Sequence, residues 1–327
     1  MIMKNCNNKA QLIVSLDFEL FWGMQDGHTL ESYQENVLGG REAIPQLLTL
    51  FQKYGIHATW ATVGLMFAEN REEAQHYFPE EELLPHYRNA KLSSYRLFAD
   101  PAFPTGHEDC FFAPDLIRLV AEAPGQEIGS HTYSHYYCRE EGQTAEQFSA
   151  DLDAAIRIAG DKGYVLRSIV FPRNQTIPAY EKIVASKGFV AYRDEEQDWI
   201  HERVRNHKLL RALRLMDVYL PLTGQGGYLP VKEGCLVHLP GSRMYKPRFD
   251  KLLFLEKLKI HRIKRQMLHA AKKGLTFHLW WHPHNIGVHT DFHMRQLEEI
   301  FSYYRKLHDE YGMESLNMSE AAQKTQD

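Results

Sequence analysis

The sequence predicts an α/β fold built on parallel strands, on two observations. Apolar, β-branched runs of strand length alternate with stretches whose apolar residues recur at helical spacing. Acids, imidazoles and a guanidinium fall where those runs end, and in a parallel α/β barrel or sheet reactive groups gather at the carboxyl ends of strands.

Residues 11–18 read as the first strand. A helix over 41–54 follows, with Ile44, Leu47, Leu48 and Phe51 on one face and Gly55 closing it. Residues 56–63 are β-branched and aromatic and end at Gly64, which completes a β-α-β unit and so implies parallel strands. Residues 69–112 break the pattern with charges, aromatic residues and Pro79, Pro85, Pro101 and Pro104. They read as an insertion at the sheet's carboxyl edge, where a lid or substrate wall would be built.

The alternation then resumes, with strands at 126–129, 167–171 and 189–192 and helices over 144–159 and 179–186. A second insertion is expected over 193–234, around the loop Gly224-Gln-Gly-Gly227. Residues 235–239 resume as strand, 250–273 as a long helix, 275–281 as the last strong strand and 291–311 as a closing helix. No repeat or convincing linker interrupts the chain, so one decorated domain over 10–315 is expected.

Composition narrows the function classes. The chain has 327 residues, 44% of them hydrophobic, ample for a core. A net charge of -4 argues against a dedicated nucleic-acid binder. Cys6, Cys110, Cys138 and Cys235 form no C-x-x-C pair, which fits reduced thiols and a reducing compartment. The polar first residues resemble neither a secretory signal nor an anchor, and no apolar run is long enough to span a bilayer. A cytoplasmic location is the expectation from these features.

The chemistry centres on Glu127-Ile-Gly-Ser-His-Thr-Tyr-Ser-His135. On a helical turn, His131 and His135 at i and i+4 would share a face and could each turn a ring nitrogen to one metal ion. Two ligands do not make a site, since a catalytic zinc takes three protein ligands and keeps a position for water. Asp17 and Glu19, ending the first strand, are the candidates for the third, and two residues apart they share a strand face. Arg173 ends Ile169-Val-Phe-Pro-Arg173, while His282 and His284 end Phe277-His-Leu-Trp-Trp-His-Pro-His-Asn285. His278, His282 and His284 are the nearby choices for a general acid, and His238 is a further wall candidate.

These residues resemble the polysaccharide deacetylases of carbohydrate esterase family 4, with their chitooligosaccharide-deacetylase-like domain. The Glu127–His135 stretch is similar to that family's metal-binding motif, residues 57–64 to its second-strand signature, and His282-Pro283 to the His-Pro ending of one branch. The resemblance runs from about Leu12 to Asn285. The commonest form of the first motif has adjacent aspartates, whereas Phe18 here separates Asp17 from Glu19, as in an Asp-x-Glu branch. By resemblance the fold is an incomplete or distorted (β/α) barrel, TIM-barrel-like, with two loop insertions. Glu19, His131 and His135 would bind a divalent metal, zinc by preference, with Asp17 as base, His282 as acid and Arg173 holding the base carboxylate. The order Pro172-Arg173 reverses the family's third motif, which leaves a structural salt bridge as the competing role for Arg173.

The function implied is metal-dependent removal of an N-acetyl group from an amino sugar in a saccharide or glycan precursor, in surface-glycan synthesis. Deformylation or hydrolysis of another non-peptide amide is the first alternative, and a non-catalytic carbohydrate-binding or assembly protein the second. Phe21, Trp22, Tyr133, Tyr136, Tyr137, Trp280 and Trp281 could stack on a sugar or serve as packing. The basic stretch 251–273 could touch a membrane surface peripherally, though its leucines, Leu252, Leu255 and Leu258, favour an ordinary packed helix with a wet face.

Overall fold

A computed structural model of the protein describes residues 9–101, 103–196, 198–200 and 207–326. Its strands are β1 (Gln11–Phe18), β2 (Ala58–Thr62), β3 (Gln126–Ser130), β4 (Ser168–Val170), β5 (Ala191–Arg193), β6 (Val231–Glu233), β7 (Leu236–His238), β8 (Arg243–Met244), β9 (Thr276–Trp281) and β10 (Glu314–Leu316). Its helices are α1 (Leu30–Tyr54), α2 (Arg71–His76), α3 (Ser94–Ala99), α4 (Pro114–Glu122), α5 (Ala145–Asp161), α6 (Pro178–Ser186), α7 (His207–Tyr219), α8 (Glu256–Lys273), α9 (Thr290–Tyr311) and α10 (Met318–Gln326). No helix among the described residues is long and apolar enough to cross a membrane.

The strands form one sheet in the order β6-β7-β5-β4-β3-β2-β1-β9-β8. Every pairing is parallel except β6 with β7. Along one edge of β1, β10 takes residues 11–13 and β2 takes 14–18. The terminal strands β6 and β8 do not pair with each other, so the sheet is not closed.

It is nonetheless strongly curled, and one contact proves the point. Arg193 on β5 donates to Asp17 on β1 at 2.7 Å, although β4, β3 and β2 lie between them. Four strand spacings in a flat sheet would separate them by about 19 Å. The parallel, barrel-like α/β fold expected from the sequence is therefore present, as an open barrel.

Strand alternation sorts the side chains into two cores. Leu12, Val14, Leu16 and Phe18 of β1 face outward into the large cluster under α1, α8 and α9. Ile13 faces inward with Ala61, Val170, Ala191 and Val237, and Met318, Ala321 and Ala322 of α10 join that inner cluster. Above this apolar layer the inward positions turn polar: Ser15 and Asp17 on β1, Arg193 on β5, His278 on β9. The same two-residue period that builds the core thus delivers the polar groups one layer higher.

Several elements lie outside the sequence expectations. Helix α1 begins at Leu30 rather than 41, because Thr29 and Ser32 form a reciprocal cap and the polar first turns need no apolar stripe. The first insertion holds α2 and α3, and packs its rings against the end of β1: Trp22 stacks on Phe98 and meets Phe111 edge-on, with centroids 5.3 and 5.1 Å away. The long helix expected over 250–273 is broken at Leu252, where φ is −124°, into a 3-10 turn and α8. Leu258, expected to pack, is 43% exposed, while Lys259 and Arg262 are buried. The two-residue β8 and three-residue β10 are too short to carry a periodic signal, while α4, which buries Leu116, Ile117 and Val120 on one face, α7 and α10 were not anticipated from the sequence.

Helix α1 sits directly on the turn after β9. A Cβ on Gly39 would lie 2.1 Å from the Gly287 carbonyl oxygen, and one on Gly40 would lie 2.8 Å from His284 Cα. Alanine would gain up to about 1 kcal/mol of helix propensity at either position. Forcing the backbones apart costs about 1–3 kcal/mol, so the clash wins. Gly39→Ala should therefore lower stability to urea, whereas Gly160→Ala in α5, where a Cβ meets open space, should raise it.

Candidate metal centre and active site

Two carboxylates at the end of β1 are the nucleus of the site. Asp17 and Glu19 are 4% and 3% exposed, so each must find compensating partners inside the protein. Glu19 finds imidazoles. Its Oε2 lies 3.3 Å from His131 Nε2 and 3.0 Å from His135 Nε2, and its Oε1 lies 3.6 Å from His282 Nε2 and 3.8 Å from His284 Nε2. Burial alone would raise its pKa, but His282, His135 and His131 hold the carboxyl well below the usual range.

His131 and His135 reach Glu19 without a helical turn, contrary to the expected geometry. The segment after β3 is a compact loop with Thr132 at φ 63° and His135 at φ 61°. A β-branched residue pays for that left-handed conformation. Three hydrogen bonds hold it: Thr132 N–H donates to Ser130 Oγ at 3.0 Å, its hydroxyl to the His131 carbonyl at 2.6 Å, and Tyr136 N–H to Thr132 Oγ1 at 2.7 Å. Asp151 of α5 secures the loop, accepting from Tyr133 N–H at 2.7 Å and from the Ser134 hydroxyl, and it ties in the first insertion through Tyr95 OH at 2.7 Å. Gly23 lets the chain cross His135: a Cβ there would fall 2.5 Å from the imidazole Cε1.

The donor set fits a metal ion. One ligand atom each from Glu19, His131 and His135 lies within 4.8 Å of the others, and all three residues are buried. His131 Nδ1 lies 2.8 Å from the Val170 carbonyl. That carbonyl can only accept, so Nδ1 carries the hydrogen and the Nε2 lone pair faces Glu19. Burial, opposed by Glu19, lowers the His135 pKa and favours the neutral ring a metal requires.

Asp17 finds an arginine, and not the one expected. Arg173 donates to Asp26 at 2.5 Å, lies 3.6 Å from Glu140, and has its guanidinium 4.5 Å from the Tyr137 ring centroid. It therefore makes a rim salt bridge, away from Asp17. The partner of Asp17 is the fully buried Arg193: its Nη2 donates to both carboxylate oxygens at 2.7 Å and its Nη1 to Ser15 Oγ at 2.7 Å. Asn174, next to Arg173, accepts from Arg193 Nε and Nη2 at 3.2 and 3.1 Å. The turn after β4 thus contributes its asparagine to the site and its arginine to the rim. Burial would raise the Asp17 pKa, but Arg193, His282 and His131 outweigh it and leave the carboxyl below its ordinary value.

His282 faces both acids, with Nε2 3.5 Å from Asp17 Oδ2 and 3.6 Å from Glu19 Oε1. At 19% side-chain exposure it is the most accessible of the four imidazoles around Glu19, and Asn285 Nδ2 lies 3.2 Å from its Nδ1. The other two candidates for a general acid are poorly suited. Burial pushes the pKa of His278 and of His284 down to about 3, so both stay neutral. His278 instead links Ser15 Oγ at 2.7 Å to the Leu239 carbonyl at 3.1 Å, behind Arg193. His238 stands apart, paired with Asp194 at 2.5 Å.

The aromatic residues named from sequence are packing: Phe21, Trp22, Tyr133, Tyr136, Tyr137 and Trp281 are all under 5% exposed. Trp280 differs in place, with its ring under the Arg193 guanidinium at 4.3 Å and its Nε1–H donating to Glu196 at 3.2 Å. Arg193, Asn174 and Ser15 were not singled out from sequence. The available signal was the two-residue step from Ala191 to Arg193, which puts an arginine on the inner face at a strand end.

The two arginines should separate cleanly on mutation. Arg193→Ala strands a buried carboxylate and should cost about 3–5 kcal/mol. Arg173→Ala opens a partly exposed pair and should cost about 1 kcal/mol or less. Chemical denaturation of both variants, compared with the parent protein, checks the order.

Residues 33–172 match the family model of the polysaccharide deacetylases. That span includes His131 and His135, while Asp17, Glu19, Arg193 and His282 lie outside it. No curated protein matches the chain in sequence. Among solved structures, a protein assigned as a polysaccharide deacetylase from Mycobacterium smegmatis is similar at 14% identity and a TM-score of 0.58, covering 98% of this chain and 92% of its own. One from Pseudomonas aeruginosa has 14% identity and a TM-score of 0.58, covering 96% and 89%. An allantoinase has 16% identity and a TM-score of 0.58, covering 97% and 91%. Likeness at these identities speaks for the fold, and the family match speaks for the segment that carries the histidine loop. Residues 33–172 are therefore the part of the chain that is similar to a polysaccharide deacetylase domain.

Proposed function

We propose that the protein is a metal-dependent hydrolase that removes the N-acetyl group from an amino sugar in a saccharide or glycan precursor. The observation that carries this reading is the meeting, inside one curled sheet end, of a Glu19–His131–His135 ligand set with the Arg193-held carboxylate of Asp17 and with His282. Zinc is the proposed ion, since imidazole and carboxylate donors suit it. Once bound, it would polarise the acetamide carbonyl and lower the pKa of a water.

The chain's own groups supply the proton transfers. Asp17 takes the proton of the attacking water, and Arg193 keeps its carboxylate fixed and ionised as that water approaches. His282, reaching the site from β9 rather than from the metal loop, gives a proton to the departing amine. Histidine suits that step because its ordinary pKa lies near neutrality. The buried imidazoles and the ring-packed first insertion keep bulk water from the reacting bond. A cytoplasmic location and a part in surface-glycan synthesis belong to the same proposal.

The two acids should part company on mutation. Asp17→Asn should keep its metal and lose acetate release by about 10²–10⁴-fold. Glu19→Gln and His131→Ala should first lose metal, read by elemental analysis of the purified variants. Acetate release is screened over free and nucleotide-linked N-acetyl amino sugars. Full metal occupancy in both Glu19→Gln and His131→Ala would overturn the ligand assignment, and unchanged turnover in Asp17→Asn would overturn its role as base.

A further inference from the structure

Large apolar side chains gather, uncovered, on one outer face of the molecule. The 3-10 turn before α8 exposes Leu253 and Phe254, the latter to 77%. Leu258 comes four residues after Phe254, so the two lie on one side where that turn runs into α8. Arg262, one turn further along that side, donates from Nη1 to the Leu220 carbonyl just past the end of α7. Leu220 and, one turn before it, Met216 are 44% and 47% exposed. Arg262 thus brings the open apolar residues of two helices side by side, whereas Val165, in the turn between α5 and β4, is exposed singly. A scattered apolar residue is ordinary on a surface, but a joined patch marks a place of contact.

The surroundings of this patch are basic. Residues 246–273 hold ten lysines and arginines against two acids, in a chain whose net charge is -4. Both acids are taken up locally, Asp250 by Arg248 at 2.7 Å and Glu256 by the buried Lys259 at 2.6 Å. Asp217 of α7 is buried between Arg243 and Arg262, and the neighbouring cavity at Trp280 is walled by as many acids as cations, so neither offsets the patch. Lys251, Lys257 and Arg265 stay exposed. Apolar side chains bordered by cations match the layered chemistry of a bilayer surface, with anionic headgroups above hydrocarbon.

We propose that this face docks on an anionic phospholipid membrane, with Phe254 and Leu258 entering the acyl boundary and Lys251, Lys257 and Arg265 meeting headgroup phosphates. Helix α8 packs back along β9, so its first turns lie at the sheet end where β9 delivers His282. Docked in this way, the protein holds the carboxyl end of its strands beside the headgroup layer. The docking rests on the exposed face alone and is independent of the hydrolase reading.

Co-sedimentation of the full-length protein with lipid vesicles is the test. Vesicles of phosphatidylglycerol and phosphatidylcholine should capture the protein, pure phosphatidylcholine vesicles should not, and capture should weaken as salt rises. Phe254→Ser and Leu258→Ser should each weaken capture about tenfold or more. Lys251→Gln and Lys257→Gln should each weaken it about fivefold. Val165→Ser, at the singly exposed position, should leave it unchanged. No capture by the anionic vesicles, equal capture by neutral and anionic ones, or capture unaltered in both Phe254→Ser and Leu258→Ser overturns the proposal. So does a concentration-dependent dimer in sedimentation velocity that Phe254→Ser dissolves while vesicles capture nothing, which would make the face a contact between copies of this chain.

Discussion

The burial of two carboxylates two residues apart at the end of one strand sets the terms for the rest of the structure. A buried, unpaired carboxylate costs several kcal/mol, and neither Asp17 nor Glu19 can be satisfied by its own strand. Partners must come from elsewhere in the sheet. Arg193 comes from β5, His131 and His135 from the loop after β3, and His282 from the end of β9. Only a curled sheet brings all of these to one point, so the electrostatic demand and the barrel-like shape depend on each other.

The polar layer is supported from behind in the same manner. Ser15 accepts from Arg193 and meets His278, which in turn meets the Leu239 carbonyl. Asp151 gathers backbone and hydroxyl donors from the histidine loop and from the first insertion. Below, α10 seals the inner apolar cluster with Met318, Ala321 and Ala322. Among the described residues four buried polar side-chain atoms have no partner, Nδ1 of His135 and of His284, the Tyr228 hydroxyl and Trp281 Nε1, and the two imidazoles are thus positioned by packing and through their Nε2 facing Glu19.

The sequence reveals the fold wherever a period is long enough to register. The strand over 11–18 appears with those bounds, and the helices expected over 144–159 and 179–186 appear within two residues of them. Two-residue β8 and three-residue β10 are set by neighbours rather than by their own pattern. In the site, Asp17, Glu19, His131, His135 and His282 were legible because each ends a strand or sits in a spaced motif, and the structure brings them together. Arg193 was hidden, since the strand that carries it is short and the charged stretch after it reads as insertion. Arg173 drew attention for the same kind of reason, by standing in a motif, but left-handed geometry at Arg173 and Asn174 turns it outward to Asp26.

The pair of Asp17 and Arg193 joins residues 176 positions apart in the chain. During synthesis β1 emerges first, and its acids must wait, solvated, while β2, β3 and β4 are made. Glu19, His131 and His135 have all emerged by residue 135, but Asp151 and Val170, which hold the histidine loop, follow, Arg193 arrives only with β5, and His282 comes later still. Contacts of such long range form slowly, because the loops between them must close before they return any energy. The meeting of Asp17 with Arg193 and His282 is therefore a late event in folding, and a nascent chain holds Glu19, His131 and His135 well before the rest of the cluster exists.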